Sequence, residues 1–166
     1  PDDNPCGVYE RTFIIDDLWD KRQTYIVFEG VSSCLELYIN DKYAGFSQGS
    51  HLQAEFDISD FVVCGTNKVT AKVRKWCSGS YLEDQDFFRL SGIFRDVYIL
   101  ERDEAHLKDI YIEYDFENNF ENVYITVDVD LTANAQINWT LTAPDGEKVA
   151  DGLADASFKI SVASPV

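Results

Sequence analysis

Positive charge is scarce in this sequence: 14 lysines and arginines stand against 30 aspartates and glutamates, for a formal net charge of −16. Nucleic acid and anionic membranes demand the opposite sign, which argues against both as partners and for a neutral or cationic one. No apolar run approaches the roughly 18 residues of a membrane-spanning helix, and no basic and apolar signal segment stands at the start. Histidine is nearly absent, at His51 and His106 only, and Cys6, Cys34, Cys64 and Cys77 show no CxxC spacing. A zinc site or a Cys/His catalytic pair therefore has little support. Methionine is missing altogether and the chain opens on PDDNPCG, which reads as an internal piece of a longer protein. Four reduced thiols are expected rather than two disulfides, because a chain this rich in core residues does not need them. They suit a cytoplasmic protein, although the missing start leaves secretion open.

Apolar material is plentiful. With 45% hydrophobic and 14% aromatic residues, the chain can bury a real core in one large domain or two small ones, and disorder is excluded. The acid excess is uneven. Residues 101–166 carry fourteen acids and four bases, a balance of −10, whereas residues 1–100 carry sixteen acids and ten bases, a balance of −6. Two units of different character are implied.

Stretches 9–15 and 24–31 are rich in β-branched and aromatic residues and read as strands. In 35–39, Leu35, Leu37 and Ile39 alternate with Glu36 and Tyr38, and Asn40-Asp41 supplies turn chemistry before 43–46, which predicts a hairpin. Segment 55–58 is a short strand, 64–67 a turn, and 68–76 and 95–100 two more strands. About seven strands and no convincing helix by residue 100 predict an antiparallel sandwich. The charged run 101–109 reads as a linker.

Beyond it the alternation is clearest. Ile110, Ile112, Tyr114 and Phe116 share one face of a strand, as do Ile125, Val127, Val129 and Leu131, and each strand is expected to bury that face alone. A third strand at 137–143, a turn at Pro144-Asp145-Gly146, and shorter strands near Val149 and at 158–162 bring the count to five. An immunoglobulin-like sandwich needs about seven, so a sheet edge or apolar face is expected to stay uncovered, and the chain to pair or associate there.

The least explicable stretch is 80–97, SYLEDQDFFRLSGIFRDV. It crowds Glu83, Asp84 and Asp86 into four residues, which repel one another and suit a surface loop, and then turns apolar at Phe87, Phe88, Leu90, Ile93 and Phe94, which are expected to anchor it. Taken alone, such a cluster reads as a solvated acidic loop.

The wording of this stretch resembles the motif that closes the sugar-binding domain of bacterial β-galactosidases of glycoside hydrolase family 2. NPCGVYERTF at 4–13 and VSSCLELYINDKYAGFSQGSHLQAEFDIS at 31–59, with Gly45, Ser50, Glu55 and Asp57, resemble the same domain. The resemblance covers residues 1–100 almost throughout and extends to 104–166 in pattern only. It implies an all-β chain: a jelly-roll (galactose-binding-like) sandwich at 1–102, then a truncated immunoglobulin-like β-sandwich at 103–166.

The resemblance also implies that the chemistry lies elsewhere. Retaining glycosidases use two carboxylates about 5 Å apart as acid/base and nucleophile, and in this family both come from a (β/α)8 barrel that follows. No acid here is assigned those roles. Asp86 is implied as a substrate-binding residue that contacts a galactosyl hydroxyl inside the barrel and, in sodium-dependent members, as a ligand of Na+. Glu83 and Asp84 are expected to hold the loop or meet the neighbouring domain, and Arg89 and Arg95 to neutralise the acidic cluster through bidentate pairs. Magnesium is doubtful, since Gln48 is retained but Ser78 stands where some members carry an aspartate. Phe88 stands where well-known members have tryptophan. The expected partner is a β-galactoside bound by the whole enzyme, itself a homo-oligomer, with no nucleic acid or membrane. Two alternatives remain open: a free-standing carbohydrate-binding module using Trp76, Tyr81, Phe87 and Phe88, or a β-glucuronidase or β-mannosidase parent.

Overall fold

The structure, a computed structural model, describes residues 3–16, 22–83, 86 and 88–163. The chain divides into two compact units, Pro1–Asp103 and Glu104–Val166, each with its own antiparallel sheets. Among the described residues there is no α-helix, only a single 3₁₀ turn at Ser78–Tyr81.

Unit 1 contains β1 (Cys6–Ile15), β2 (Arg22–Phe28), β3 (Val31–Ser32), β4 (Cys34–Ile39), β5 (Lys42–Ser47), β6 (Ala54–Asp57), β7 (Gly65–Arg74), β8 (Gly92–Ile93) and β9 (Val97–Asp103). One sheet runs β1-β7-β4-β5 and the other β6-β2-β9, with β3 and β8 forming a short separate pair. Alternation explains the packing. Leu35, Leu37 and Ile39 of β4 point inward with Ala71 and Val73 of β7, and meet Ile26 and Phe28 of β2 in one buried cluster. The hairpin between β4 and β5 turns through Asn40 and Asp41, both at positive φ (50° and 64°), a conformation these two residue types tolerate best after glycine.

Two expectations need correction. The run 101–109 is not a linker: β9 continues to Asp103, leaving only 104–106 between it and the next strand. Its charges fit an outer strand, because Arg102 reaches across β2 to both carboxylate oxygens of Glu55 on β6 and lies over the Tyr25 ring, 4.6 Å from its centroid. Nor is 64–67 a free turn. β7 begins at Gly65, in register with Ile15 of β1, and the Asn67 side chain is buried.

Unit 2 contains β10 (Leu107–Glu117), β11 (Asn122–Leu131), β12 (Ile137–Thr142), β13 (Lys148–Ala154) and β14 (Phe158–Ala163), in sheets ordered β10-β11-β14 and β12-β13. Val123, Ile125, Val127 and Ile160 form its core, against which Trp139 and Leu141 pack. Trp139 stacks on Phe158 with ring centroids 5.1 Å apart. Opposite it in the β12–β13 register stands Gly152, where any Cβ would come within 2.8 Å of the indole.

β11 buries one face as its alternation predicts, but β10 does not. Ile110, Ile112, Tyr114 and Phe116 pair in register with Val129, Val127, Ile125 and Val123, yet remain 42–61% exposed. β10 is an outer strand of three, and the facing layer is only two strands wide.

Candidate functional site: the acidic loop and its supports

The loop of interest leaves β7 at Arg74 and is gripped at once. Asn4 bonds both main-chain groups of Trp76, its Oδ1 accepting from the N–H and its Nδ2 donating to the carbonyl, each at 2.9 Å. Cys77 then opens the 3₁₀ turn. Its N–H donates to the Ser80 hydroxyl at 3.1 Å, and that hydroxyl meets the buried Ser33 hydroxyl at 2.5 Å, while the Cys77 sulfur lies 3.2 Å from Ser33 Oγ. Burial raises the Cys77 thiol pKa, but hydrogen bonds from Ser33 and Ser80 outweigh it, so the net shift is downward. Cys34, on the neighbouring strand, is shifted upward by burial first and by the nearby Cys77 second. All four cysteines are free thiols.

At its far end the stretch is zipped onto residues 29–33. Val31 and Ser32 pair with Ile93 and Gly92, Phe94 N–H donates to the Gly30 carbonyl at 3.2 Å, and Glu29 N–H to that of Asp96 at 3.1 Å. Gly92 sits at φ +119°, which calls for glycine, and a Cβ there would lie 2.8 Å from the Tyr9 hydroxyl, so that ring would have to shift as well.

Between these anchors lie the residues singled out from the sequence. Glu83 is half-buried, and its two carboxylate oxygens accept from the main-chain N–H (2.8 Å) and the hydroxyl of Ser50. Arg89 Nη2 donates to the Glu83 carbonyl at 3.2 Å, and its guanidinium lies over the Trp76 ring. Among the described residues, Arg95 pairs with main chain rather than with Glu83 or Asp86: its Nη1 donates to the carbonyls of Glu29 (3.2 Å) and His51 (3.1 Å), bracing the neighbouring loops. Asp86 is exposed on a bend. Asp84 and Phe87 lie outside the described residues.

The apolar anchors also differ from expectation. Ile93 packs against the core, but Phe88 is 90% and Leu90 80% exposed. Polar ties hold the described part of the loop, while Phe88 and Leu90 face outward. They border a cleft of about 210 Å³, lined by Ser32, His51, Phe88, Leu90, Ser91 and Phe94. A second space beside Ser50, Glu83 and Arg89 measures only about 20 Å³, enough for one water. Ser50 was a matched letter of the hairpin motif with no role attached. Its bond to Glu83 spans 33 residues, so no local signal reveals it.

Gln48 and Ser78 are neighbours, the Ser78 hydroxyl donating to Gln48 Oε1 at 3.1 Å. Among the described residues, no three histidine, cysteine or acidic side chains converge as metal ligands, and no helix is long and apolar enough to cross a membrane.

The family model described as "Glycosyl hydrolases family 2, sugar binding domain" matches residues 1–103. A β-galactosidase of Actinobacillus pleuropneumoniae is 47% identical over 148 residues, covering 88% of this chain and 14% of that protein. Another from Staphylococcus xylosus is 43% identical over 163 residues, covering 96% of this chain and 16% of that one. The chain thus spans only about a sixth of the length of these relatives. Among solved structures, an FMN-binding β-glucuronidase from Facaelibacterium prausnitzii L2-6 superposes with a TM-score of 0.84 at 19% identity, over 97% of this chain and 27% of that one. A putative β-galactosidase from Bacteroides fragilis gives 0.82 at 20% identity, over 96% and 28%. At such identities the structural likeness speaks for the fold, an all-β sandwich arrangement shared with the N-terminal parts of these enzymes.

Proposed function

The chain belongs to glycosyl hydrolase family 2, and from that premise we propose that it is the non-catalytic N-terminal part of a β-galactosidase that hydrolyses terminal β-galactosides with retention. The loop around Asp86 forms one wall of an active site whose other walls lie outside this chain. The observation that carries this reading is the exposure of Asp86 on a loop otherwise tied down at both ends, in a chain 47% identical to a β-galactosidase.

The other acids have different work. Glu83 is occupied by two donors from Ser50 and is poorly placed to attack or protonate a glycosidic bond. Asp86 presents an exposed carboxylate, which suits acceptance from a sugar hydroxyl. The same hard oxygen donors fit an alkali cation, which would add positive charge beside the sugar, with its remaining ligands supplied from outside this chain. Gln48 and Ser78 do not fit magnesium: a neutral amide and a hydroxyl bonded to each other offer none of the carboxylate charge that ion selects. Exposed Phe88 and Leu90 flank Asp86 and suit burial against the rest of the enzyme once it is present. Four free thiols support a cytoplasmic setting.

A substrate panel tests the parent activity. The full-length enzyme is expected to turn over an aryl β-galactoside at least about tenfold faster than the matching β-glucuronide or β-mannoside, the lower bound set by the net worth of one hydrogen bond. A preference for either of the latter overturns the assignment.

A further inference from the structure

Phe88 and Leu90 face solvent, and among the described residues the nearest hold on the chain before Asp86 is polar, at Glu83. We propose that Ser50 is a positioning residue for Asp86, acting through Glu83; this rests on the reading of Asp86 as a substrate-binding group.

Ser50 is 2% exposed and sits just beyond β5, on the body of the sandwich. It offers two donors to two acceptors. Its N–H meets Glu83 Oε1 at 2.8 Å and its hydroxyl meets Oε2, so the carboxylate is fixed in both position and plane, as a guanidinium fork would fix it. The same glutamate closes the loop from the other side, because its carbonyl accepts from Arg89 Nη2. Glu83 and Arg89 each stand three residues from Asp86, so the carboxylate proposed to meet substrate lies midway in sequence between two residues that bond each other. Three extended residues span at most about 10 Å. Pinning Glu83 therefore restricts where Asp86 can go; the Glu83 N–H is also tied to the Gly79 carbonyl at 3.1 Å, so losing the Ser50 hydroxyl loosens this hold rather than abolishing it.

Removing the Ser50 hydroxyl leaves a half-buried carboxylate oxygen without its donor, and the glutamate is then better solvated by swinging outward. Threonine keeps both donors. The water-sized space beside Ser50 can take its extra methyl.

The test uses the full-length enzyme with Ser50→Ala, Ser50→Thr and Asp86→Asn. Ser50→Ala is expected to lower kcat/KM for an aryl β-galactoside by about 10- to 100-fold, the scale of misplacing a reacting contact by an ångström, while Ser50→Thr stays within about threefold of the parent. Hydrogen exchange provides a readout independent of turnover. Amides at 84–89 should exchange faster in Ser50→Ala and recover in Ser50→Thr, with β4 and β7 unchanged in both. If Ser50→Ala retains normal kinetics while Asp86→Asn is impaired, the positioning role is overturned and the reading of Asp86 survives. If Asp86→Asn is also normal, that reading falls and this one with it. A loss in Ser50→Ala that merely follows the folded fraction, with unchanged exchange at 84–89, likewise overturns the proposal.

Discussion

Replacing Asp86 by asparagine in the full-length enzyme is expected to lower kcat/KM for an aryl β-galactoside by about 10- to 100-fold, the equivalent of one hydrogen bond to a charged acceptor. Asparagine keeps the shape and one acceptor oxygen but loses the charge, so it weakens both the bond to a sugar hydroxyl and any hold on a cation. The sodium response should change along with the rate. Stability should not: Asp86 is exposed and makes no hydrogen bond or ion pair with a described residue, and substitutions at such sites usually stay within about 0.5 kcal/mol. This separation is what gives the experiment its force. Steady-state kinetics in sodium and in potassium, beside a thermal melt, will show it, and unchanged kinetics would remove Asp86 from the site.

The second large effect concerns folding. Asn67 is 1% exposed, and all of its hydrogen-bonding capacity is used. Its Oδ1 accepts from Val63 N–H and Asn40 Nδ2, each at 2.8 Å, and its Nδ2 donates to the carbonyls of Val63 (2.7 Å) and Gly65 (3.1 Å). Asn40 extends the network, donating to the Phe61 carbonyl and accepting from Lys68 N–H. One amide thus joins the turn between β4 and β5, the segment before β7, and β7 itself. Asn67→Leu keeps the branched shape but is bulkier and strands several buried polar groups, and is expected to destabilise unit 1 by about 3–5 kcal/mol. That is a large part of the roughly 5–15 kcal/mol that holds a domain folded. Urea denaturation followed by circular dichroism measures it. A loss below about 1 kcal/mol would mean that the network is replaceable by water or by local rearrangement.

Much of the fold was legible because β-sheet burial leaves a period of two in the sequence. Where both layers are present, as around Leu35, Leu37 and Ile39, the apolar letters mark the core directly. β10 shows the limit of that rule. Its alternation is as regular as that of β11, but alternation records which face is apolar and not whether anything covers it. Phe88 and Leu90 teach the same lesson on a loop, where apolar residues expected to anchor instead face outward.

The supports of the candidate site were less visible. Glu83 was expected to hold the loop, yet its partner Ser50 lies on a distant turn, and only folding brings the two together. Arg95 was expected to answer the neighbouring acids by charge, but among the described residues it is main-chain carbonyls that lie within its reach and accept its hydrogen bonds. Asn67 sat in a segment whose glycine and small polar residues look like an ordinary turn. Its burial depends on β1 pairing with β7 through to Gly65, a contact between segments some 50 residues apart. The run 101–109 looked like a linker because charge usually marks exposed chain. An outer strand is exposed as well.

If Asp86 serves a composite site, as proposed, this chain alone does not complete it. Calorimetric titration of galactose, in sodium and in potassium, into this chain, the full-length enzyme and its Asp86→Asn variant tests that claim most directly. No saturable heat is expected with the chain, saturable binding with the full-length enzyme, and binding about tenfold or more weaker once the Asp86 charge is removed. Saturable binding to the chain itself, or full affinity in the Asp86→Asn enzyme, would contradict it.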